Sequence, residues 1–191
     1  MQKVFFLDRD GVLNHDLEGI CKSEHLIMCK DVPEALKKIK AAGYGIVVVS
    51  NQAGIANGTL SWEDLENLQK YFEEQLKKHN APLPNKWYYC PHSETGIIPE
   101  YSISCNCRKP KPGMIFAAKK DLDIDCENSF FIGDRITDIQ CGLAGNCKAA
   151  VLVMSGFSKP EDAVPLERPY YTAAGILEAV ELLLKKYDTQ K

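Results

Sequence analysis

The chain has 191 residues, with 23 Lys and Arg against 26 Asp and Glu, and a net charge of −3. A composition of 45% hydrophobic and 26% charged residues supports an ordinary core and excludes a largely disordered chain. The acidic balance excludes a general electrostatic attraction to nucleic acid or anionic membrane, and no apolar run approaches the roughly 20 residues of a membrane helix.

The N-terminal apolar stretch is cut at Asp8, too early for a signal peptide, so a cytoplasmic protein is expected. Residues 3–7 read as a first buried strand. A flap of about 12–30 follows, then a helix over 32–42 with Val32, Ala35, Leu36 and Ile39 on one face and Gly43 as its stop. A second strand is predicted at 45–50. The next helix, 61–79, opens on a Ser61 cap with an acidic residue three positions on, and carries Leu65, Leu68, Phe72 and Leu76 on one side. Residues 86–89 form a more aromatic strand, followed by a Pro-, Gly- and Cys-punctuated loop over 91–112. A helix at 114–122, a strand at 129–132, a helix at 138–144, a strand at 149–154 and a closing helix over 173–187 complete the chain. This alternation predicts an α/β fold: one domain, 1–191, a three-layer Rossmann-like parallel sheet with helices on both faces.

In such sheets ligands bind at the carboxyl ends of the strands. There the sequence places Asp8-Arg9-Asp10-Gly11, Ser50-Asn51-Gln52-Ala53 and Gly133-Asp134. Asp8 and Asp10 stand two residues apart and repel each other unless a cation intervenes. With Asp134 as a third hard oxygen donor, the set suits Mg²⁺ completed by waters and a substrate phosphate.

Eight cysteines without a signal peptide argue against a disulfide framework. Cys21, Cys29, Cys126, Cys141 and Cys147 are scattered and read as buried or incidental thiols. Cys90 and His92 are followed by Cys105 and Cys107, two tight ligand pairs that suit a tetrahedral structural Zn²⁺ ordering a loop of about 90–107. His15, His25 and His79 read as solvated or hydrogen-bonded side chains. A zinc-stabilised binding module, with Trp87, Tyr88, Tyr89 or Tyr101 stacking on bases, is opposed by a pI near 5.8 and by the three aspartates.

Asp8-Arg9-Asp10-Gly11-Val12-Leu13, Ser50-Asn51-Gln52, Lys109 and Gly133-Asp134-x-x-x-Asp138 occur in the order of the four motifs of the haloacid dehalogenase-like phosphatases, which the chain resembles. The resemblance implies Asp8 as nucleophile, Asp10 as general acid/base, Ser50 and Lys109 on the transferring phosphoryl group, and Asp134 on Mg²⁺ with Asp138 behind it. The spacing leaves no room for a cap domain. The zinc pairs followed by Arg108-Lys109-Pro110 further resemble the heptose-bisphosphate and histidinol-phosphate phosphatase subgroup. That likeness implies a small phosphorylated sugar as substrate, a phosphorylated polyol being the alternative. It also implies substrate contacts at Asp16, Ser50, Asn51, Gln52, Ala53, Arg108, Lys109 and Arg135. The chain departs from the subgroup at Leu17-Glu18-Gly19-Ile20 in the flap. With no large apolar stripe, a monomer is expected.

Overall fold

The protein is described here by a computed structural model, in which residues 1–15, 22, 25–159 and 165–188 are placed. Asp16, the Leu17-to-Ile20 stretch and Cys21 lie outside the described residues. The predicted alternation forms: β1 (Val4–Leu7), α1 (Val32–Ala41), β2 (Gly45–Asn51), α2 (Trp62–Lys78), β3 (Lys86–Cys90), α3 (Gly113–Leu122), β4 (Phe130–Gly133), α4 (Ile136–Ala144), β5 (Ala149–Val153), β6 (Tyr171–Ala173) and α5 (Ile176–Tyr187). The six strands run in the order β3-β2-β1-β4-β5-β6, and every adjacent pair is parallel.

Side chains alternate across each strand, so near-continuous apolar runs feed two cores. Phe5, Leu7, Ile46 and Val48 pack under α1, α2 and α5, while Val4, Phe6, Val47 and Val49 pack under α3 and α4. Helix α2 starts as its sequence requires. The Ser61 hydroxyl accepts the Asp64 N–H at 3.0 Å, and the Asp64 carboxylate accepts the Ser61 N–H at 3.0 Å.

One element differs from the sequence reading. Residues 171–173 form β6, paired with Val151, Leu152 and Val153, where the sequence reading has an irregular connection up to a closing helix that starts at Ala173. Three residues carry no readable alternation, and the strand exists because β5 offers it an open edge. Strand order reverses beside β1: the chain runs outward through β2 and β3, then returns to β4 on the other side. The carboxyl ends of β1, β2 and β4 therefore open onto one crevice.

Candidate active site

Asp8 follows β1 directly, and its N–H donates to the Ile132 carbonyl at 3.0 Å, which holds it against β4. Lys109 reaches the same point from the loop before α3. Its Nζ lies 2.8 Å from Asp8 Oδ1, 2.6 Å from Asp138 Oδ1 and 3.1 Å from the Val49 carbonyl. Lys109 is only 4% exposed. Burial alone would lower its pKa, but the two carboxylates hold it above its ordinary value. Asp8 moves the other way: burial pushes it up to about 8 against the pull of Lys109, with Asp138 and Asp134 adding repulsion.

Asp134, at the end of β4, is fully buried. Its Oδ2 accepts the Phe157 N–H at 2.7 Å, and its Oδ1 has no hydrogen-bond partner. Burial raises its pKa to about 6. Asp138 sits one turn into α4, and its Oδ2 accepts the Arg135 N–H at 2.9 Å, capping that helix. Carboxylate oxygens of Asp8, Asp134 and Asp138 all lie within 4.8 Å of one another. Two cations, Lys109 and Arg9, face the four carboxylates of Asp8, Asp10, Asp134 and Asp138. That leaves two negative charges, which one divalent ion would balance. An unpartnered buried oxygen beside a hard-donor cluster fits Mg²⁺.

Asp10 stands outside this cluster, whereas the D-x-D spacing places it among the metal carboxylates. The strand ends at Leu7, so the same-face logic of alternate residues stops there. The chain then folds into a tight turn, with the Leu13 and Asn14 N–H groups donating to the Arg9 carbonyl at 2.8 and 3.1 Å. Gly11 makes the turn possible: its φ is +79°, and a Cβ there would overlap the Asp134 carboxylate. Asp10 is instead held by Arg9, Asn14 and Gln52. Burial would raise its pKa, but the Arg9 charge and these hydrogen bonds together keep it below the ordinary carboxylate value. Asp138, placed behind Asp134 by the resemblance, has both oxygens engaged, by Lys109 and by the Arg135 N–H.

The 50–53 segment divides its work. The Ser50 hydroxyl accepts from Gln52 Nε2 at 2.9 Å, and Gln52 also donates to Asp10. The Asn51 side chain binds the Lys109 backbone. Ala53 is half-buried at the start of the following turn.

Two groups carry no signal in the sequence reading. Arg9 is one. The other is the 155–157 turn after β5, where the Ser155 hydroxyl donates to the Gly11 carbonyl at 2.8 Å and Gly156 packs against Asp134. The rule that strand ends carry ligands, applied to β5 as to β1, β2 and β4, would have found this turn. Its Phe157 ring, 59% exposed, lies 4.0 Å from the Arg135 guanidinium.

The four soft donors also converge. Cys107 Sγ lies 3.3 Å from Cys90 Sγ, 3.3 Å from Cys105 Sγ and 3.4 Å from His92 Nδ1. A tetrahedral ion bound at about 2.3 Å has ligand separations near 3.8 Å, so the donors already sit near the corners such an ion requires. Burial pushes the Cys90 thiol up, whereas the Cys105 thiol, accepting from Cys107 and from the Arg108 N–H, lies below its ordinary value despite burial. Arg108 Nη1 donates to the His92 carbonyl at 2.8 Å, tying that cation to the loop. A cleft of about 380 Å³ opens beside Lys109, lined in part by Ser93, Thr95, Ser104, Arg108 and Lys111. Cys29, Cys126, Cys141 and Cys147 are buried thiols, and His15, His25 and His79 are exposed.

Known proteins resemble this arrangement. The HAD-hydrolase-like family model matches residues 106–179. The D-glycero-alpha-D-manno-heptose-1,7-bisphosphate 7-phosphatase of Photorhabdus laumondii is 36% identical over 178 residues, 92% of this chain and 97% of that protein. The D-glycero-beta-D-manno-heptose-1,7-bisphosphate 7-phosphatase of Pasteurella multocida is 40% identical over 162 residues, covering 85% and 87%. The fold matches the D,D-heptose 1,7-bisphosphate phosphatase of B. bronchiseptica, solved with magnesium and phosphate. That match has a TM-score of 0.84 at 24% identity over 96% of this chain and 99% of the other.

Proposed function

Because the chain belongs to the heptose-bisphosphate phosphatase family of haloacid dehalogenase-like hydrolases, and is thereby a phosphomonoesterase, we propose that it removes the 7-phosphate of a heptose 1,7-bisphosphate through an aspartyl-phosphate intermediate. The observation that carries this reading is Lys109, buried between Asp8 and Asp138 beside the unpartnered oxygen of Asp134.

The Asp8 carboxylate attacks phosphorus, the bond from phosphorus to the sugar oxygen breaks, and the leaving alkoxide takes a proton from Asp10. Asp10 is ionised in the resting site, so it acts first as an acid only with a proton taken up alongside the substrate. Once ionised again, it accepts a proton from the water that hydrolyses the aspartyl phosphate. Lys109 Nζ and the Ser50 hydroxyl meet charge on the equatorial oxygens. Asp8 and Asp134, with Asp138 behind, would hold Mg²⁺, which when bound would further neutralise the phosphoryl group and the attacking carboxylate.

The bisphosphate reading draws on the cleft beside Lys109, where Arg108 and Lys111 offer cations to a second phosphate. Arg135, which stacks on Phe157, is assigned to the substrate as a further cation, and Asp16 and Ala53 are assigned to the sugar. Cys90, His92, Cys105 and Cys107 would hold Zn²⁺ by four protein ligands, and its role would be to order the loop that delivers Arg108 and Lys109. Reduced thiols suit a cytoplasmic protein. The chain, 1–191, is taken to act as one domain and as a monomer.

Phosphate release is measured with Mg²⁺ on the alpha and beta anomers of heptose 1,7-bisphosphate and on histidinol phosphate, with Asp8→Asn as control. A preference for one bisphosphate anomer over histidinol phosphate of about 100-fold supports the substrate. Equal rates on histidinol phosphate assign the site to polyol phosphates instead, and activity in Asp8→Asn overturns the mechanism.

A further inference from the structure

We propose that Arg9 is the positioning residue of the reaction: its guanidinium grips the second carboxylate of the D-x-D pair, holding Asp10 apart from the metal cluster and aimed for proton transfer. The inference rests on the phosphatase reading above for the acid/base role of Asp10.

Arg9 follows Asp8 and precedes Asp10 in the chain, and it is only 3% exposed. Its Nε and Nη2 reach Asp10 Oδ1 at 3.1 and 2.9 Å, and Nη2 also reaches Asp10 Oδ2 at 2.9 Å. A planar fork fixes the plane of a carboxylate as well as its position, which a point charge cannot do. Neighbouring residues in an extended chain point apart. Here the tight turn after β1 folds the pair together. The rest of the network closes on the same group. Asn14 Nδ2 donates to Asp10 Oδ1 at 3.0 Å, and Gln52 Nε2 donates to Oδ2 at 2.9 Å. Arg9 Nη2 holds Gln52 through its Oε1 at 3.3 Å. Gln52 also donates to the Ser50 hydroxyl, so Asp10 is keyed to a group that meets the phosphate.

Without Arg9, Asp10 would lose the cation that grips it and turn toward the Asp8, Asp134 and Asp138 cluster, where a fourth carboxylate competes for the metal. Two carboxylates two residues apart thus serve two tasks because a cation holds one of them in a separate place.

The test uses the full chain with both metals and two substrates: the heptose bisphosphate that the wild type turns over fastest, and p-nitrophenyl phosphate, whose leaving group departs without a proton. Arg9→Met is expected to lower kcat on the sugar phosphate by about 100-fold or more, with KM within about threefold of wild type. On p-nitrophenyl phosphate the first-turnover burst persists, and the following steady rate falls while aspartyl phosphate accumulates. Arg9→Lys recovers less than about a tenth of the lost activity, because the fork is missing. Adding Arg9→Met to Asp10→Asn changes the residual rates by less than about twofold. Gln52→Leu, which removes a hydrogen-bonding partner and no charge, gives the same kcat-only signature in weaker form and covers the case in which Arg9→Met does not fold. The proposal is overturned by unchanged kcat in Arg9→Met, by equal loss of burst and steady rate, or by full rescue with lysine. If the wild type releases no phosphate, or Asp8→Asn still does, the phosphatase reading itself has failed.

Discussion

The Asn51 side chain and the Lys109 backbone bind each other at both ends: Asn51 Oδ1 accepts the Lys109 N–H at 3.1 Å, and Asn51 Nδ2 donates to the Lys109 carbonyl at 3.2 Å. A residue expected to touch substrate thus anchors the loop that brings the cation. Asn51→Ala should leave Asp8 in place and let Lys109 drift. The expected result is a kcat about 10-fold or more lower, a smaller change in KM, and a stability loss of about 1–2 kcal/mol by thermal melt for the two lost hydrogen bonds. A variant with wild-type kcat would show that the loop holds Lys109 without this pair.

Metal binding should depend on pH with a definite sign. In the metal-free protein burial raises Asp8 to about 8 and Asp134 to about 6, both above the ordinary 3.8. A carboxyl raised in the folded state contributes stability at low pH and loses it as pH climbs from its unfolded to its folded value. The metal-free melting temperature should therefore fall between about pH 4 and pH 8. Mg²⁺ needs both groups ionised, so its stabilising shift should grow over the same range. Apparent Mg²⁺ affinity should tighten about tenfold per pH unit between 6 and 8, the slope for one displaced proton. A pH-independent affinity in a calorimetric titration would contradict the placement of Asp8 in this site.

The zinc loop gives a prediction about metal content. One Zn²⁺ per chain is expected by native mass spectrometry, lost in Cys107→Ser. Because Arg108 and Lys109 follow the last ligand directly, removing zinc should cost activity although no reacting atom touches the ion. A strong zinc chelator should lower the melting temperature and abolish phosphate release, and added Mg²⁺ should not restore it. Full activity in a protein proven free of zinc would remove the ion from the functional account.

Much of this site was legible because strand ends carry ligands: Asp8 and Asp134 follow predicted strands, Ser50 ends one, and the cysteine pairs announce themselves by spacing. What was not legible depends on where the chain turns. The D-x-D spacing does not reveal the tight turn that follows β1, so it groups Asp10 with the metal carboxylates and gives Arg9 no role. The resemblance implies a substrate contact at Asn51, yet its side chain is taken up by the Lys109 backbone, 58 residues away. Strand β6 is hidden for a related reason: three residues between prolines and a helix have no pattern of their own and take their form from β5.

Phe157 offers two separable contacts at the mouth of the site. Its ring lies 4.0 Å from the Arg135 guanidinium, and its N–H binds Asp134 Oδ2 at 2.7 Å. An exposed cation–π contact contributes about 0.5–1 kcal/mol. Phe157→Ala should therefore leave kcat unchanged and raise KM for a bisphosphate about two- to fivefold by removing the ring that Arg135 stacks on. KM for p-nitrophenyl phosphate, which has no second phosphate for Arg135 to meet, should not move. Phe157→Pro removes the N–H as well as the ring. Asp134 would then lose its backbone donor, and Mg²⁺ affinity should change in that variant but not in the alanine one. Equal effects of Phe157→Ala on both substrates would assign the ring to the shape of the site mouth and not to Arg135.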